Sequence, residues 1–325
     1  MHFLITGANG FLGSALSHHL SRAGHTVRCL VRRGSDVEGL KGLEPHFFEG
    51  DVTKPDTLRH AVEGMNCVFH LAGVRRGATR DDFMAVNAVG TQNVCEAMVS
   101  VNSSARLVLC GSLAATGPSF ENRPRVEEDS PAPQEWYGES KAEAERVAFT
   151  YASRMPVTCA RPARILGPGD KENLTFFKLV KKGVVLKLLG PPRPLSLIDV
   201  DDTVQLMVLL ATHEAAVGEA FFAAADGTLD VQRLMQLAAD TLHWPTHTVP
   251  VPAPLLKGVG FAADLVTRAT GKKLPVNRKL VRQLLAPGWT CSNEKAKRLL
   301  GFKPVWSLED SIARSARWYV EQGWL

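Results

Sequence analysis

The feature that most constrains the fold of this chain is a glycine-rich turn near its N-terminus. Residues 6–13 read TGANGFLG, between a short apolar run, His2–Ile5, and a segment with helically spaced apolar residues, Phe11–Ala23. Glycines at such spacing permit a tight turn, close approach of a pyrophosphate and close packing of a helix on a strand. The helix N-terminus adds free N–H groups and a partial positive charge. The motif predicts a dinucleotide site formed by Gly7, Asn9, Gly10, Phe11, Leu12 and Gly13.

Short apolar runs alternate with longer helical patterns over the first 160 residues. Further strands are predicted at Thr26–Val31, His46–Phe48, Cys67–Leu71, Arg106–Cys110 and Val157–Ala160. Helices are predicted near residues 55–64, 82–100 and 137–154. Strands that are apolar without alternation are typical of parallel strands buried on both faces. The predicted fold class is therefore α/β: a doubly wound parallel Rossmann sheet with a smaller mixed C-terminal substrate lobe.

The pattern changes after Gly167-Pro168-Gly169, where prolines become frequent. We predict a dinucleotide-binding domain over residues 1–165, joined by returning elements near 200–226, and a mainly substrate-binding lobe over residues 166–325. Within this lobe, residues 255–270 form a mostly apolar segment with helical spacing. Three interpretations of this segment are open: it caps a hydrophobic substrate, it touches a membrane surface, or it belongs to the core of the lobe. The core is the favoured interpretation.

Composition and charge exclude several classes of protein. Of the 325 residues, 45% belong to the set AVILMFWYC and 22% are charged, which is typical of a folded globular protein. The formal net charge of +5 is spread along the chain without a block of like charges, so no nucleic-acid partner is predicted. No apolar stretch reaches about 20 residues and the N-terminus lacks a leader pattern, so we expect a cytoplasmic protein without a membrane span. The six cysteines show no CxxC pair, so neither a metal site nor a disulfide framework is expected.

The end of the second predicted strand indicates which nucleotide binds. Folds that prefer NAD usually place an acidic residue there, which bonds the adenosine ribose. This chain reads Cys29-Leu30-Val31-Arg32-Arg33 and has no carboxylate in that segment. The guanidinium of Arg32 can pair with a 2′-phosphate through charge-assisted hydrogen bonds. We therefore predict NADP as the cofactor in preference to NAD; the alternative is that both arginines are solvated residues at a strand end.

Tyr137 and Lys141 lie four residues apart in the segment YGESK, within a predicted helix. This spacing puts both side chains on one face of the helix, one turn apart. An ammonium beside a phenol stabilises the phenolate form, so Tyr137 can exchange a proton with a carbinol oxygen. The pair alone is common in helices, but the glycine motif upstream makes it specific. The sequence predicts Tyr137 as a general acid–base and Lys141 as its partner.

These motifs, in this order, resemble those of the extended short-chain dehydrogenase/reductase family. The chain is closest in character to the dihydroflavonol reductases and 3-beta-hydroxysteroid dehydrogenases among its epimerase/dehydratase-like members. The resemblance covers nearly the whole chain and implies an NAD(P)-dependent enzyme that dimerises through the helices near residues 82–100 and 137–154. It rests on TGANGFLG, Gly50-Asp51-Val52, His70-Leu71-Ala72-Gly73, Asn87 with Gly90-Thr91, Tyr137–Lys141, and Arg161-Pro162 followed by Gly167-Pro168-Gly169.

The resemblance also implies roles for individual residues. Catalysis would use Ser112 to polarise a carbonyl, Tyr137 as the acid–base, and Lys141 both beside Tyr137 and at the nicotinamide ribose. Ser112 has the alternative interpretation of a turn residue, and His70 is interpreted as a core residue at a strand end. The other implied cofactor contacts are Asp51 and Val52 at the adenine, Leu71, Ala72 and Gly73 along the adenosine and pyrophosphate, Asn87, and Pro162 and Ile165 beside the nicotinamide.

Departures from the family pattern favour one of its reactions. Nucleotide-sugar epimerases often carry an Arg-Pro-Gly-Asp segment where this chain reads Leu285-Ala286-Pro287-Gly288-Trp289. Ser112-Leu113-Ala114 lacks the carboxylate pair usual in dehydratases. We therefore predict an NADP(H)-dependent oxidoreductase that reduces the ketone or aldehyde, or oxidises the alcohol, of a small hydrophobic substrate. Two alternatives remain: a nucleotide-sugar 4-epimerase that retains NAD, and a non-catalytic dinucleotide-binding sensor.

Three arginines and one tryptophan are further candidates for the substrate side. Arg75, Arg76 and Arg164 lie near predicted strand ends, which face the cleft in this fold. Their guanidinium groups could hold a carboxylate or phosphate; the alternative is that they are ordinary exposed arginines. Trp136, next to Tyr137, either lines the pocket or anchors a loop.

Overall fold

The computed structural model describes residues 1–43, 46–120, 123–270 and 278–325, except for the side chains of Arg268 and Lys279. The strands of the described residues are β1 (His2–Thr6), β2 (Thr26–Val31), β3 (His46–Glu49), β4 (Cys67–His70), β5 (Arg106–Cys110), β6 (Val157–Pro162), β7 (Arg164–Leu166), β8 (Val184–Leu188), β9 (Leu197–Asp199), β10 (Ala220–Ala223) and β11 (His247–Val251). Their α-helices are α1 (Phe11–Arg22), α2 (Arg59–Val62), α3 (Arg80–Met84), α4 (Gly90–Val101), α5 (Leu113–Thr116), α6 (Trp136–Thr150), α7 (Leu174–Lys181), α8 (Val200–Thr212), α9 (Val231–Leu242), α10 (Ala253–Thr270), α11 (Arg278–Leu284), α12 (Glu294–Leu300) and α13 (Leu308–Glu321).

Seven of these strands form one parallel sheet in the order β3-β2-β1-β4-β5-β6-β10. The chain moves to one side of β1 and then returns to the other, so the loops after β1 and β4 diverge and leave a crevice at their carboxyl ends. This arrangement confirms the predicted doubly wound sheet. β10 pairs with β6 at the edge of the sheet, so a strand near residue 220 lies beside those of the first 165 residues.

Helices cover both faces of this sheet. On one face, Leu16 of α1 and Leu206 of α8 pack with Phe3 in a buried apolar cluster. On the other face, Val94 of α4 packs with Leu4 in a second cluster. Neighbouring residues of a strand point to opposite faces, so β1 is buried on both sides. That is why its sequence is apolar without alternation.

The helix predicted near residues 82–100 contains a π-helical turn. α3 continues through this turn, Ala85–Val89, into α4. Thr79 caps α3 by accepting the N–H of Asp82, whose carboxylate accepts the Thr79 N–H in return. Such wider turns occur often at functional sites, and this one contains Asn87.

The elements after residue 166 include a further apolar cluster that contains Phe177 of α7, Leu234 of α9 and Tyr319 of α13. α10 lies at the edge of this region. Leu255 and Leu265 are 57% and 59% exposed, so the interpretation of residues 255–270 as lobe core is wrong for that face. The physical reason is that only a narrow stripe of α10 is buried, and small residues form its centre.

Candidate active site

The glycine turn after β1 leaves a cradle at the N-terminus of α1. Gly7 has a φ of 69°, and a Cβ there would lie 2.7 Å from the Ala72 backbone nitrogen. A Cβ on Gly13 would lie 2.2 Å from the Gly7 carbonyl oxygen, because α1 packs directly on the turn. Gly10, between them, would meet only the Gly7 oxygen, at 3.2 Å. Gly7 thus permits the tight turn, Gly10 leaves space in front of it, and Gly13 allows the close helix packing; a pyrophosphate cradle requires all three.

The predicted adenosine contacts lie beside this turn. Asn9 is exposed and donates its side-chain N–H to a backbone carbonyl of the loop after β2, at 3.0 Å. Arg32 is exposed directly after β2, and Val52 is buried. Burial raises the pKa of Asp51, but hydrogen bonds from Thr53 and the charge of Arg32 outweigh burial and lower that pKa overall. Arg32 therefore acts electrostatically on the carboxylate predicted at the adenine.

Asn87 fastens the loop after β4 to α6. Its side-chain oxygen accepts the Val74 N–H at 2.8 Å, and its nitrogen donates to the Val74 carbonyl at 3.0 Å and to Ser140 Oγ at 2.8 Å. The Ser140 hydroxyl in turn donates to the Tyr137 carbonyl at 2.8 Å. The predicted cofactor loop, residues 71–73, is thus tied to the helix that carries Tyr137.

His70 belongs to a buried network behind this loop. Its Nδ1 lies 2.7 Å from Thr6 Oγ1, and its Nε2 lies 3.0 Å from Thr91 Oγ1. Thr6 Oγ1 also accepts the Ala72 N–H at 3.1 Å, which links β1 to the loop after β4. Burial, with the nearby charge of Lys141, lowers the pKa of His70 to about 3, so the ring is neutral near pH 7. His70 lies in the core, as interpreted from the sequence.

Ser112, Tyr137 and Lys141 come from two neighbouring elements at the carboxyl end of β5. Ser112 is the N-cap of α5, and its Oγ accepts the Ala114 N–H at 3.1 Å. Tyr137 is half-buried in the first turn of α6, and Lys141 is buried one turn later. The Lys141 ammonium donates to the Cys110 carbonyl at the end of β5.

Gly138 allows these residues to converge. A Cβ at this position would lie 2.4 Å from the Ala114 carbonyl oxygen, so α6 begins directly against α5. A Cβ on Gly73 would lie 3.9 Å from Lys141 Nζ, which places the ammonium beside the loop after β4. The Arg75 guanidinium carbon lies 5.7 Å from the centroid of the Tyr137 ring.

A cavity of about 530 Å³ lies where these elements meet. The predicted site residues that line it are Gly7, Gly10, Phe11, Leu12, Gly13, Leu71, Gly73, Ser112, Tyr137, Lys141, Pro162 and Ile165. The remaining predicted residues, at the adenosine end or behind the wall, are Asn9, Arg32, Asp51, Val52, Ala72 and Asn87. Tyr137 and Lys141, which the sequence predicts on one helix face, thus reach the same cavity as the glycine turn.

The opposite wall of the cavity was not predicted. Its residues come from β8, α11 and nearby loops. They include apolar residues, Leu188, Pro192, Leu284 and Trp289, and charged ones, Lys187, Arg193 and Asp230. These positions lie at least 18 residues beyond Gly167-Pro168-Gly169, the last motif of the family resemblance, so no local spacing identifies them. Glu135, which bonds Gln283 of α11, was also missed; its position two residues before Tyr137 is the signal that could have found it.

Two of the three candidate arginines line the cavity. Arg164 donates to Asn173 Oδ1 at 2.7 Å, and burial together with the charge of Arg75 lowers the pKa of Arg164. Among the described residues, neither Arg75 nor Arg164 has a carboxylate within 4.0 Å. Arg76 itself does not line the cavity: it is exposed, and its guanidinium pairs at 3.2 Å with the carboxylate of Glu172, which is a lining residue. Trp136 also lies outside the lining and is 46% exposed.

Comparison with known proteins identifies the family. Residues 3–224 match the model of the NAD dependent epimerase/dehydratase family. The chain belongs to this family. It is therefore an NAD(P)-dependent enzyme of the extended short-chain dehydrogenase/reductase type, and the family resemblance found in the sequence is confirmed.

The chain is similar over its length to proteins with different reactions. A ceramide reductase of Caulobacter vibrioides is 29% identical, with 99% of this chain and 95% of the relative covered. A 2-alkyl-3-oxoalkanoate reductase of Stenotrophomonas maltophilia is 28% identical, with 97% and 98% covered. The structure of UDP-glucose 4-epimerase from Thermotoga maritima, with UDP-glucose, matches with a TM-score of 0.80 at 20% identity and 99% coverage of both chains. That last likeness is one of fold.

Neither a membrane span nor a metal cluster occurs in the part of the chain that the structure describes. None of its helices is both long and apolar enough to cross a bilayer. It contains no group of three or more His, Cys, Asp or Glu residues arranged to hold a metal ion. The six cysteines are free thiols, and five of them are buried.

Proposed function

We propose that the protein is an NADP(H)-dependent reductase of a ketone or aldehyde in a hydrophobic substrate. The observation that carries this proposal is that one cavity combines the glycine turn, Ser112, Tyr137 and Lys141 with leucine, proline and tryptophan side chains on the opposite wall. The cradle at Gly10 fits a pyrophosphate, because a side chain there would occupy the space in front of the turn. The names of two relatives, a ceramide reductase and a 2-alkyl-3-oxoalkanoate reductase, support a lipid-like substrate.

The residues of the chain act on the carbonyl oxygen of the substrate. When bound, the nicotinamide supplies a hydride to the carbonyl carbon. Ser112 Oγ already accepts the Ala114 N–H, so its own proton is available to donate to the carbonyl oxygen. Tyr137 donates a second hydrogen bond and transfers its proton as negative charge develops on that oxygen. Lys141, held by the Cys110 carbonyl, stabilises the phenolate that remains.

We propose NADP as the cofactor because Arg32 follows β2 where NAD-preferring folds carry an acid. Arg32→Ala is expected to weaken NADPH binding by about tenfold to a hundredfold, since it removes a charge-assisted contact to the 2′-phosphate. NADH binding should change by less than about twofold, because NADH has no phosphate there. Titration of nucleotide-stripped protein, followed by the fluorescence of the reduced nicotinamide, measures both.

The control is Arg22→Ala, which removes an exposed arginine at the far end of α1 from the glycine turn. This variant should bind both nucleotides as the wild type does. Tighter binding of NADH by the wild type, or NAD that cannot be stripped from the protein, would contradict the proposal. Either result would favour the nucleotide-sugar epimerase.

We also propose that the substrate carries an anionic group close to its carbonyl. Arg164 and Arg75 bring two positive charges to the cavity, Arg75 over the Tyr137 ring, and an anion that reaches both would offset their repulsion. Arg164→Met is expected to raise the KM for a 2-alkyl-3-oxoalkanoate by about tenfold to a hundredfold. The KM for the corresponding methyl ester should change by less than about threefold, because the ester has no charge to pair.

Steady-state kinetics with the acid and its ester measure this difference. Arg22→Met is the control, since Arg22 is exposed near the end of α1 and does not line the cavity. Equal effects of Arg164→Met on both substrates would show that the residue shapes the cavity and does not recognise charge.

The homodimer implied by the family resemblance remains part of this proposal. It would use the outer faces of α4 and α6. Near them, Val89 is 49% exposed at the start of α4. An apolar side chain with that exposure is compatible with burial in a contact between copies.

A further inference from the structure

The outward side of α10 is apolar. Leu255, Val259, Ala262 and Val266 recur at i, i+4, i+7 and i+11, which places them on one face of the helix, and Leu265 adjoins them. Leu255, Leu265 and Val259 are 57%, 59% and 44% exposed. We call these five residues the α10 face. A surface helix ordinarily turns its polar side outward, so this helix has the reverse arrangement. A contiguous exposed apolar patch marks a site of interaction.

Basic residues concentrate in and around this helix. Between Ala253 and Arg282 the sequence contains seven basic residues and one acid, Asp264. The basic residues are Lys257, Arg268, Lys272, Lys273, Arg278, Lys279 and Arg282. The whole chain has a formal net charge of +5, so this segment accounts for the entire excess. The expectation that the positive charge is spread along the chain is therefore wrong.

The charged side chains that the structure describes here leave two cations, Lys257 and Arg282, without an acidic partner in this segment. Asp264 pairs with Arg278 at 3.3 Å, which neutralises one of the basic residues. Lys257 and Arg282 are exposed. An apolar face accompanied by exposed Lys and Arg is typical of helices that lie in the interface of an anionic membrane.

α10 is also the outer layer of the cavity wall. A Cβ on Gly260 would lie 2.8 Å from Val281 Cγ2, so α10 packs closely on α11. Leu280 and Leu284 of α11 line the cavity. The strand before α10 pairs with β8, whose Leu188 also lines the cavity. A surface on which the α10 face rests is therefore one helix layer away from the substrate space.

A second copy of the chain is a poorer partner for this face. A twofold contact places the same patch of each copy against the other. The exposed cations of this region that the structure describes, Lys257 and Arg282, would then approach those of the other copy, and like charges in a contact oppose association. An anionic lipid surface instead complements the charge and accepts the apolar side chains.

We propose that the α10 face lies on the surface of a bilayer that contains anionic lipids, with Lys257 and Arg282 near the headgroups. The bilayer contact does not depend on the reductase reaction. The route of the substrate does rest on the proposed function: a lipid-like carbonyl compound would enter the cavity from the membrane, past α11.

Sedimentation with vesicles tests the proposal with the full chain. Vesicles of phosphatidylcholine mixed with phosphatidylglycerol are expected to bind the wild type, and vesicles of phosphatidylcholine alone to bind it much more weakly. Leu265→Glu should reduce binding at least about tenfold, because it removes a large apolar side chain from the contact. Lys257→Gln should weaken binding to the anionic vesicles about fivefold.

The matched control is Val305→Glu, which makes the same charge change at a side chain that is 75% exposed before α13. This variant should bind as the wild type does. Reduction of a water-soluble ketone, measured without vesicles, should be unchanged in all three variants. If the wild type did not reduce the ketone, the proposed reductase function would fail, while the vesicle experiment would still decide the membrane contact.

Two results would overturn the membrane proposal. One is a wild type that fails to bind anionic vesicles, or a Leu265→Glu variant that binds them equally well. The other is a wild-type oligomer, seen by sedimentation velocity, that Leu265→Glu converts to a monomer. That outcome would make the α10 face an interface between copies of this chain.

Discussion

Tyr137→Phe is expected to lower kcat for NADPH-dependent carbonyl reduction by about 100- to 10,000-fold, the range for loss of a positioned proton donor. The affinity for NADPH should stay within about twofold, because the glycine turn and the Lys141 ammonium are untouched. The aromatic ring remains, so the contact of Arg75 over that ring is retained. Turnover is measured by the loss of NADPH absorbance and affinity by nicotinamide fluorescence.

The chain supplies its own matched control for this experiment. Tyr151, just beyond the end of α6, has its hydroxyl 3.4 Å from the exposed carboxylate of Glu96 and lies outside the cavity. Tyr151→Phe removes the same atom from the same helix region and should leave kcat unchanged. If Tyr137→Phe retained more than about a tenth of the wild-type rate, Tyr137 would not be the proton donor.

The sequence predicts the parts of the site that depend on local periodicity. Tyr137 and Lys141 reach one cavity because four residues make about one helical turn, and that rule needs no tertiary information. The glycine turn is predictable in the same way at Gly10 and Gly13, where an added Cβ would meet the Gly7 carbonyl oxygen nearby in the chain; at Gly7 the close contact is with Ala72, which the local sequence does not show. The parallel sheet follows from apolar strands that alternate with helices.

The features that the sequence did not predict depend on which way side chains point and on distant contacts. Arg75 and Arg76 are adjacent, yet only Arg75 lines the cavity, since neighbouring side chains diverge. The periodicity of α10 identifies a helix but does not say which face is buried. Small residues decide this: Gly260 allows close packing on α11, so the larger apolar residues are left outside.

Behind the active site, a buried ion pair is expected to have the largest effect on stability. Glu145 of α6 and Arg161 of β6 are 2.9 Å apart, and their side chains are 7% and 11% exposed. Arg161→Met leaves the Glu145 carboxylate buried without its partner, which should lower the free energy of unfolding by about 3–5 kcal/mol. Urea denaturation measures this loss. The control is Arg146→Met, whose exposed pair with Glu143 contributes less than about 1 kcal/mol.

The pH dependence of this loss separates the charge of Glu145 from the packing of Arg161. Burial raises the pKa of Glu145, and the charge of Arg161 only partly opposes that shift. A carboxyl whose pKa is raised in the folded state destabilises the fold when it is ionised. The pKa of a glutamate in the unfolded chain is about 4.3, so the free energy of unfolding falls as the pH rises above that value. Removal of Arg161 raises that pKa further, so the loss in Arg161→Met should be small at acidic pH and grow towards neutral pH.

A second substitution, Glu145→Leu, should recover part of the lost stability, because it removes the unpaired charge. A loss that is equal at all pH values, and not relieved by Glu145→Leu, would assign the effect to the packing of the arginine side chain.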